Sequence, residues 1–282
     1  MKSAGVLRRV SEHMAVKAHD EAVIILENKK INEKYFKLTF RSKKLAQGVK
    51  PGHFLMMQIG DLNDPFLRRP FSYYRASADR IEVLYEILGY GTSLLSEKKK
   101  GETLQVMGPL GNPFSAVVPQ AQSQKKSSSR KKRVLVAGGV GVPPLVFFSE
   151  KNKSDYLLIG TKSKQEVMPK KELAKVKAKV LFSTDDGSYG VKGRVTLLLE
   201  DVIEKEGAEN IFIQTCGPMP MMNAVMALAK KYEIPGEASL DKTMGCGVGV
   251  CLGCMVKTHE GWVPSCTEGP VFSFDDIVEA GV

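Results

Sequence analysis

Long hydrophobic runs are missing from this 282-residue sequence. No apolar segment approaches the roughly 18 residues that a membrane-spanning helix needs, so we expect no contact with a membrane. The first 22 residues contain two arginines, but no apolar segment of the kind found in secretory signals follows them. We therefore expect a cytoplasmic protein, in which residues 1–19 form a poorly ordered N-terminal extension.

Histidine is also scarce. The four histidines, at positions 13, 19, 53 and 259, are scattered along the chain. Their spacing fits neither a metal site nor a catalytic set, so we predict no histidine-based site and name no catalytic residue.

Acidic residues are absent from the segment 125–133, KKSSSRKKR, which holds six basic residues. Without it the net charge falls from +10 to +4, so most of the basic excess is local. The surrounding Gln- and Ser-rich stretch, 119–133, is typical of a solvated insert. We interpret it as a basic low-complexity linker, and we expect no nucleic-acid partner.

Three parts of the chain differ in their hydrophobic pattern. Residues 20–118 contain short alternating runs separated by turn residues, which predicts an antiparallel β-barrel or sandwich with one helix beginning near Thr92. Residues 134–235 alternate apolar strands with helical segments, which predicts a parallel α/β domain. Residues 236–282 show little periodicity and are too few to form much of a core without a cross-link such as a metal site. The fold class is thus multidomain, β followed by α/β and a C-terminal loop domain.

Four of the five cysteines are confined to the last part of the chain, in the spacing C-x4-C-x2-C-x11-C. In a reducing compartment such a cluster favours metal ligation over disulfides. The spacing is that of plant-type ferredoxins, in which four thiolates hold a [2Fe–2S] cluster. Glycines at 245, 247, 249 and 253 would let the backbone close around the inorganic sulfurs. Zinc ribbons usually have two C-x2-C pairs, and zinc stays an alternative. The predicted ligands are Cys246, Cys251, Cys254 and Cys266.

Two stretches of the β-rich part could bind a nucleotide. In RRPFSYY (68–74), an arginine before a Pro-aromatic-Ser turn offers a cation for phosphate and a hydroxyl at a defined position. In LYEILGYGT, Gly91 and Thr92 lie near a predicted helix start, where backbone N–H groups can bind a pyrophosphate. An ion pair between the arginine and a surface acid is the alternative.

Two stretches of the α/β part could bind a second nucleotide. In AGGVGVPPL (137–145), Gly138, Gly139 and Gly141 follow an apolar strand and could approach a dinucleotide pyrophosphate, although a plain glycine turn is possible. In TCGPMPMM (215–222), Cys216 ends a strand at the edge where α/β sheets bind ligands. It lies near a nicotinamide in one interpretation and is a small buried hydrophobe in the other.

Taken together, these stretches resemble the ferredoxin–NADP reductase superfamily. Within it, the sequence is similar to the electron-transfer subunits of class 1B dihydroorotate dehydrogenases, over about residues 20–275. The resemblance rests on PGHF, RRPFS, LYEILGYGT, GPLGNPF, AGGVGVPPL, TDDGSYGVKG, CGPMPMM and above all SLDKTMGCGVGVCLGC. The linker at 119–133, the N-terminal extension and Glu86, where we expect a basic or neutral residue, depart from the pattern.

The resemblance implies a role for each candidate residue. It implies an FAD-binding barrel, with Ser72 near the isoalloxazine and Arg69 near the phosphates. The full implied FAD site is Arg69, Pro70, Phe71, Ser72, Leu84, Tyr85, Glu86, Gly91 and Thr92. An NAD site is implied at Gly138, Gly139, Gly141, Cys216, Gly217 and Pro218. The four clustered cysteines are implied to ligate the [2Fe–2S] cluster.

The resemblance also implies a function. Electrons would pass from FMN in a catalytic subunit, which oxidises dihydroorotate, to the cluster, then to FAD and NAD⁺, in a two-plus-two heterotetramer of pyrimidine biosynthesis. A flavin would lie between cluster and nicotinamide because it exchanges both single electrons and hydride. Two alternatives stay open: the NAD(P)H-linked subunit of a sulfhydrogenase or ferredoxin–NADP oxidoreductase, and a zinc-stapled binding module.

Overall fold

The computed structural model describes residues 17–60, 64–118 and 130–279. Residues 1–16 of the predicted extension and 119–129 of the predicted linker lie outside this range, so those two interpretations stay predictions. The described residues form two seven-stranded sheets and one three-stranded sheet.

The first sheet is antiparallel throughout, in the order β4-β3-β7-β1-β2-β6-β5. Its strands alternate as half-buried strands should: Val23 and Ile25 are buried, whereas Ile24 between them is exposed. The strands are β1 (His19–Lys30), β2 (Tyr35–Arg41), β3 (Phe54–Gln58), β4 (Arg69–Ser72), β5 (Arg75–Ser77), β6 (Arg80–Glu86) and β7 (Thr103–Leu110).

The sequence predicted a barrel here, and the structure shows a half-barrel. Among the described residues the edge strands β4 and β5 do not pair with each other, so the sheet stays open. Its concave face encloses one core, which includes Leu45 of α1 (Lys43–Ala46).

A second helix, α2 (Tyr90–Glu97), follows β6. It begins two residues before Thr92, the start that the sequence suggested, because its N-cap is Gly89. The Thr92 hydroxyl accepts from the backbone N–H groups of Leu88 at 2.9 Å and Gly89 at 3.2 Å. Thr92 therefore caps the helix from within its first turn.

The second sheet has the order β11-β10-β9-β8-β12-β13-β16 and is parallel except for its last strand. Every residue of β12 is buried, as in a strand covered on both faces. The strands are β8 (Lys132–Gly138), β9 (Tyr156–Thr161), β10 (Lys179–Thr184), β11 (Val191–Lys192), β12 (Ile211–Cys216), β13 (Gly236–Ser239) and β16 (Val271–Ser273). The helices are α3 (Val142–Lys151), α4 (Val195–Glu206) and α5 (Met219–Lys231).

Two observations shift the boundaries that the sequence suggested for this sheet. Strand β13 pairs with β12, so the sheet continues past residue 235 into the segment 236–282. At the other end, β8 begins at Lys132, inside the predicted linker 119–133. Arg133 is buried and its guanidinium stacks on Phe148, which explains why this charged residue belongs to the fold.

The segment 236–282 is more regular than its weak periodicity suggested. It forms a small antiparallel sheet from β14 (Met255–Thr258), β15 (Gly261–Pro264) and β17 (Ile277–Glu279), with α6 (Ser265–Glu268) after β15. Cys254 and Cys266 pack with Phe54, Met56 and Leu110 of the half-barrel. The cysteine segment is therefore seated on the first sheet.

A buried ionic network joins the two large sheets. Glu172, between β9 and β10, accepts hydrogen bonds from Lys37 Nζ at 2.8 Å and Arg75 Nη1 at 3.2 Å. Burial raises the pKa of the Glu172 carboxyl, but hydrogen bonds and charge from Lys37 and Arg75 outweigh it, so the pKa lies below its ordinary value. The charged form of Glu172 therefore stabilises the contact between the sheets.

Changing Glu172 to glutamine is expected to lower the free energy of unfolding by about 1 kcal/mol at pH 7, because the amide keeps the volume but loses the charge. A depressed pKa contributes stability above the unfolded value, near 4.5, and the contribution is lost as pH falls through the folded pKa. The difference from wild type should thus shrink below about pH 4. Denaturant titrations at pH 7 and pH 3.5 test this.

Glu33→Gln is the matched control, since Glu33 forms an exposed pair with Lys30 and should change stability by less than about 0.5 kcal/mol. An equal effect of both variants at pH 7 would argue against the network.

Among the described residues, no helix is long and apolar enough to cross a membrane.

Candidate cofactor sites

A cavity of about 440 Å³ lies where the half-barrel, the parallel sheet and the cysteine segment meet. All nine residues of the implied FAD site line it, although they come from β4, β6 and α2. Its size is within the usual range of cofactor pockets. The nine are Arg69, Pro70, Phe71, Ser72, Leu84, Tyr85, Glu86, Gly91 and Thr92.

The cationic side of the cavity lies at the start of α2. Gly91 is buried there, and a Cβ atom in its place would lie 3.3 Å from Arg69 Nε. Arg69 thus lies across the first turn of the helix, and its guanidinium donates to the Leu67 carbonyl oxygen. A guanidinium and free helix N–H groups side by side form a site for phosphate. These residues fit the pyrophosphate of a dinucleotide.

Glu86 adds a carboxyl group to the same cavity. Its Oε1 is buried without a hydrogen-bond partner and lies 3.7 Å from Lys34 Nζ. Burial raises the pKa of Glu86; the charge of Lys34 lowers it and that of Glu166 raises it, with a net rise. A carboxylate here does not suit a phosphate, so the part of the cavity that fits a phosphate is the side with Arg69 and the start of α2.

The glycine turn after β8 reaches the rim of this cavity. Gly139 has a φ of +49°, and its carbonyl oxygen accepts from the buried Tyr35 hydroxyl at 2.8 Å, which ties the turn to the half-barrel. A Cβ atom on Gly141 would lie 2.0 Å from the Cys216 carbonyl oxygen, so close packing alone requires glycine there. Of this turn, Val140 lines the cavity.

The residues of the implied NAD site come together at the ends of β8 and β12. Gly138 lies against Pro218 and Met221, and Gly217 lies against Gly138. Cys216 lines the cavity and is almost fully buried. Burial raises the pKa of its thiol to about 12, although Ser239 hydrogen-bonds to it. Cys216 is therefore a neutral thiol at physiological pH.

Backbone N–H groups surround the sulfurs of the cysteine segment. Val248 and Cys251 each donate to Cys246 Sγ at 3.4 Å, and Gly249 donates to Cys266 Sγ at 3.1 Å. Gly247 and Gly249 have φ of +74° and +79°, which glycine adopts without strain. Partial burial raises the pKa of Cys246, but these backbone donors outweigh it and bring the pKa to about 6. Such donors suit thiolate ligands.

The four thiols are arranged as two pairs. Cys246 contacts Cys251, and Cys266 contacts Cys254. Among the described residues, no three His, Cys, Asp or Glu side chains converge as ligands of a single metal ion. Four thiols with backbone donors to their sulfurs suit a binuclear cluster, in which each iron takes two protein thiolates. The donor set therefore fits a [2Fe–2S] cluster.

The cavity and the cysteines are adjacent. Phe54 and Met244 line the cavity, and both pack in the same apolar cluster as Cys254 and Cys266. The apolar cluster that contains Cys254 and Cys266 thus forms part of the cavity wall.

Sequence reasoning missed about half of the cavity wall. Three of the missed residues, Leu88, Tyr90 and Val140, lie within the glycine motifs themselves. Their position in these motifs could have identified them. The missed residues from β3 and from the segment after β12 are far in sequence from the stretches assigned to FAD and NAD, so no local signal pointed to them. The missed residues are Phe54, Leu88, Gly89, Tyr90, Val140, Ser239, Leu240, Asp241, Met244 and Pro270.

Comparison with known proteins gives consistent results. Residues 241–278 match the iron–sulfur cluster binding domain of dihydroorotate dehydrogenase B. The electron transfer subunit of dihydroorotate dehydrogenase B (NAD(+)) from Desulforamulus reducens is 33% identical over 251 residues, covering 86% of this chain and 91% of the relative. The subunit of the same name from Clostridium acetobutylicum is 34% identical over 256 residues, covering 90% and 95%.

Solved structures agree on the fold. An NADH-dependent reduced ferredoxin–NADP oxidoreductase superposes with a TM-score of 0.74 at 24% identity, over 90% of this chain and 89% of that one. A ferredoxin–NADP⁺ reductase from Neisseria gonorrhoeae gives 0.62 at 18% identity, over 77% and 92%.

The half-barrel, the parallel sheet and the C-terminal cysteine segment define a ferredoxin-reductase-like protein with an iron–sulfur binding domain. This confirms the ferredoxin-reductase-like fold that the sequence predicted. More narrowly, the chain belongs to the family of electron transfer subunits of dihydroorotate dehydrogenase B (NAD(+)).

Proposed function

We propose that this chain is the electron-transfer subunit of an NAD-dependent dihydroorotate dehydrogenase of pyrimidine biosynthesis, acting in the cytoplasm. It works with an FMN-containing catalytic subunit that oxidises dihydroorotate, in a two-plus-two heterotetramer. Its own cofactors are FAD and a [2Fe–2S] cluster, with NAD⁺ as co-substrate. When bound, the cluster supplies single-electron transfer and the flavin converts single electrons to hydride.

One observation carries the proposal: the cavity with the phosphate-binding side and the paired thiols pack against the same side chains. Phe54 and Met244 line the cavity and also belong to the apolar cluster that contains Cys254 and Cys266. A zinc-stapled binding module would have no use for a nucleotide cavity beside its cysteines. The adjacency therefore favours a redox function for this pair of sites.

The chain's own residues divide the work. Arg69 binds the FAD phosphates together with the N–H groups at the start of α2, and Ser72 offers a hydroxyl on the cavity wall. The turn at Gly139, held by Tyr35, positions the pyridine nucleotide at the rim. The backbone donors around Cys246 and Cys266 stabilise thiolates that hold the cluster.

Co-expression with the catalytic subunit tests the proposal. We expect the two chains to copurify with FAD, FMN and about two irons per cluster chain, and to reduce NAD⁺ when dihydroorotate is added under anaerobic conditions. NADH formation is followed by its absorbance. Omitting either chain is the control and should abolish the reaction.

Other outcomes are equally informative. Copurification with hydrogenase or sulfide-reducing subunits, without dihydroorotate-dependent NADH formation, would contradict the pyrimidine assignment. A colourless protein that contains zinc and no flavin would contradict the redox assignment as a whole.

A further inference from the structure

Proton stoichiometry sets a requirement for the cavity, if the proposed function holds. Reduction of NAD⁺ consumes two electrons and one proton to give NADH. Electrons that arrive singly through a metal cluster bring no proton with them. One proton must therefore enter the cavity from the protein or solvent for each NADH formed, and a positioned acid accelerates such transfers.

Asp241 is placed to deliver this proton. It lines the cavity two residues beyond Ser239, at the end of β13. Ser239 is the register partner of Cys216, so the ends of β12 and β13 bring thiol, hydroxyl and carboxyl to one wall. The Asp241 side chain is open to the water of the cavity and can be reprotonated from it.

The other titratable groups of the cavity are less suitable as acids. Burial raises the pKa of Tyr85 and of Cys216, the latter to about 12. Tyr90 is a phenol that hydrogen-bonds to Asp64, which raises its pKa further. These three side chains hold their protons too tightly to release them near neutral pH.

Glu86 is the remaining competitor, and its surroundings differ from those of Asp241. Lys34 lies 3.7 Å from Glu86 Oε1, and Lys162 adds a second positive charge, so cations favour its ionised form. The Asp241 side chain is exposed, and enclosure of its carboxyl by the cavity wall raises its pKa. The Glu86 side chain is only 14% exposed and faces Lys34, so Asp241 is the carboxyl that can exchange protons with the water of the cavity.

We propose that Asp241 is the proton-donating residue of the cavity: its carboxyl takes a proton from solvent and, when electrons arrive from the cluster, would pass it to the flavin of the proposed function, which accepts one proton with each electron pair. For each NADH formed, one proton leaves Asp241 and one solvent proton replaces it. In the reverse direction a hydride from NADH carries its own hydrogen, so reduction of the cavity's flavin by NADH needs no proton from Asp241.

This asymmetry gives the test. Wild type and Asp241→Asn are purified with their cofactors, and flavin reduction is followed anaerobically by stopped flow with either dithionite or NADH as the reductant. We expect the variant to be at least tenfold slower with dithionite, where the proton must come from elsewhere. With NADH its rate should lie within about twofold of wild type, because no acid is needed.

A second readout does not depend on rate. Redox difference infrared spectra should show a protonated carboxyl band in wild type that is missing in Asp241→Asn. Asp201→Asn, the same chemical change on the exposed face of α4, should keep both the band and the rates. Asp241→Glu should restore part of the dithionite rate, because it keeps the acid.

Two results would overturn the proposal. Equal slowing with both reductants would mean that Asp241 only supports the cavity. An unchanged dithionite rate with an unchanged carboxyl band would mean that water protonates the site directly. Failure of the proposed function is seen separately, in wild-type protein that lacks flavin or iron, before either variant is compared.

Discussion

Cys251→Ala is expected to remove the iron–sulfur cluster from a protein that otherwise stays folded. Iron and acid-labile sulfide should fall at least tenfold from about two of each per chain, and the EPR signal after dithionite reduction should disappear. The reason is the number of thiolates: Cys251 hydrogen-bonds to Cys246, and without it only three of the four thiolates that would hold the cluster remain. Metal analysis and EPR spectroscopy measure the loss.

Cys251 is the best of the four for this experiment because its side chain is exposed. Cys254 and Cys266 are buried against Phe54 and Met244, so their removal would also create cavities. Far-ultraviolet circular dichroism of Cys251→Ala should therefore match wild type, and FAD should remain bound. Loss of the metal would then be a ligand effect alone.

Cys216→Ala is the matched control, because Cys216 is the fifth cysteine and lies at the end of β12, outside the cysteine segment. Its iron and sulfide content should equal that of wild type. A Cys251→Ala protein that keeps two irons would contradict the predicted ligand set. A wild-type protein that contains stoichiometric zinc would favour the alternative metal.

The sequence predicted the cluster segment well because its chemistry is local. Four ligands within about twenty residues, with glycines between them, constrain the loop whatever surrounds it. The pairing of Cys246 with Cys251 and of Cys254 with Cys266 agrees with that spacing. The four cysteines could therefore be selected as candidate ligands without any knowledge of the fold, and their ligand roles stay a prediction.

The cavity wall was less predictable because tertiary contacts assemble it. Asp241 and Ser239 reach the wall through the addition of β13 to the parallel sheet, past the predicted domain end at residue 235. Gly141 also has a tertiary requirement that its motif does not reveal: close packing on Cys216 requires glycine there. Motifs identify which backbone segments approach a ligand, and packing decides which side chains complete the site.

Arg69→Ala is expected to weaken FAD binding by roughly 10- to 150-fold, the equivalent of about 1.5–3 kcal/mol for hydrogen bonds to a charged group. Arg69 is the cation on the cavity wall that lies beside the first turn of α2, and the N–H groups of that turn cannot replace its fork of donors. Fluorescence titration of the apoprotein with FAD measures the dissociation constant.

The neighbouring residue provides a control of the same kind and size. Arg68 forms an ion pair with Asp20 of β1 at 2.8 Å, so Arg68→Ala removes one guanidinium at the adjacent position without removing the cation beside α2. Its FAD dissociation constant should stay within about threefold of wild type, because general electrostatics are screened by salt. If both variants raise the FAD dissociation constant equally, the overall positive charge would explain FAD binding, and the specific placement of Arg69 would not. If Arg69→Ala alone loses affinity, and loses it less for riboflavin than for FAD, its partner is the pyrophosphate, because riboflavin lacks that group.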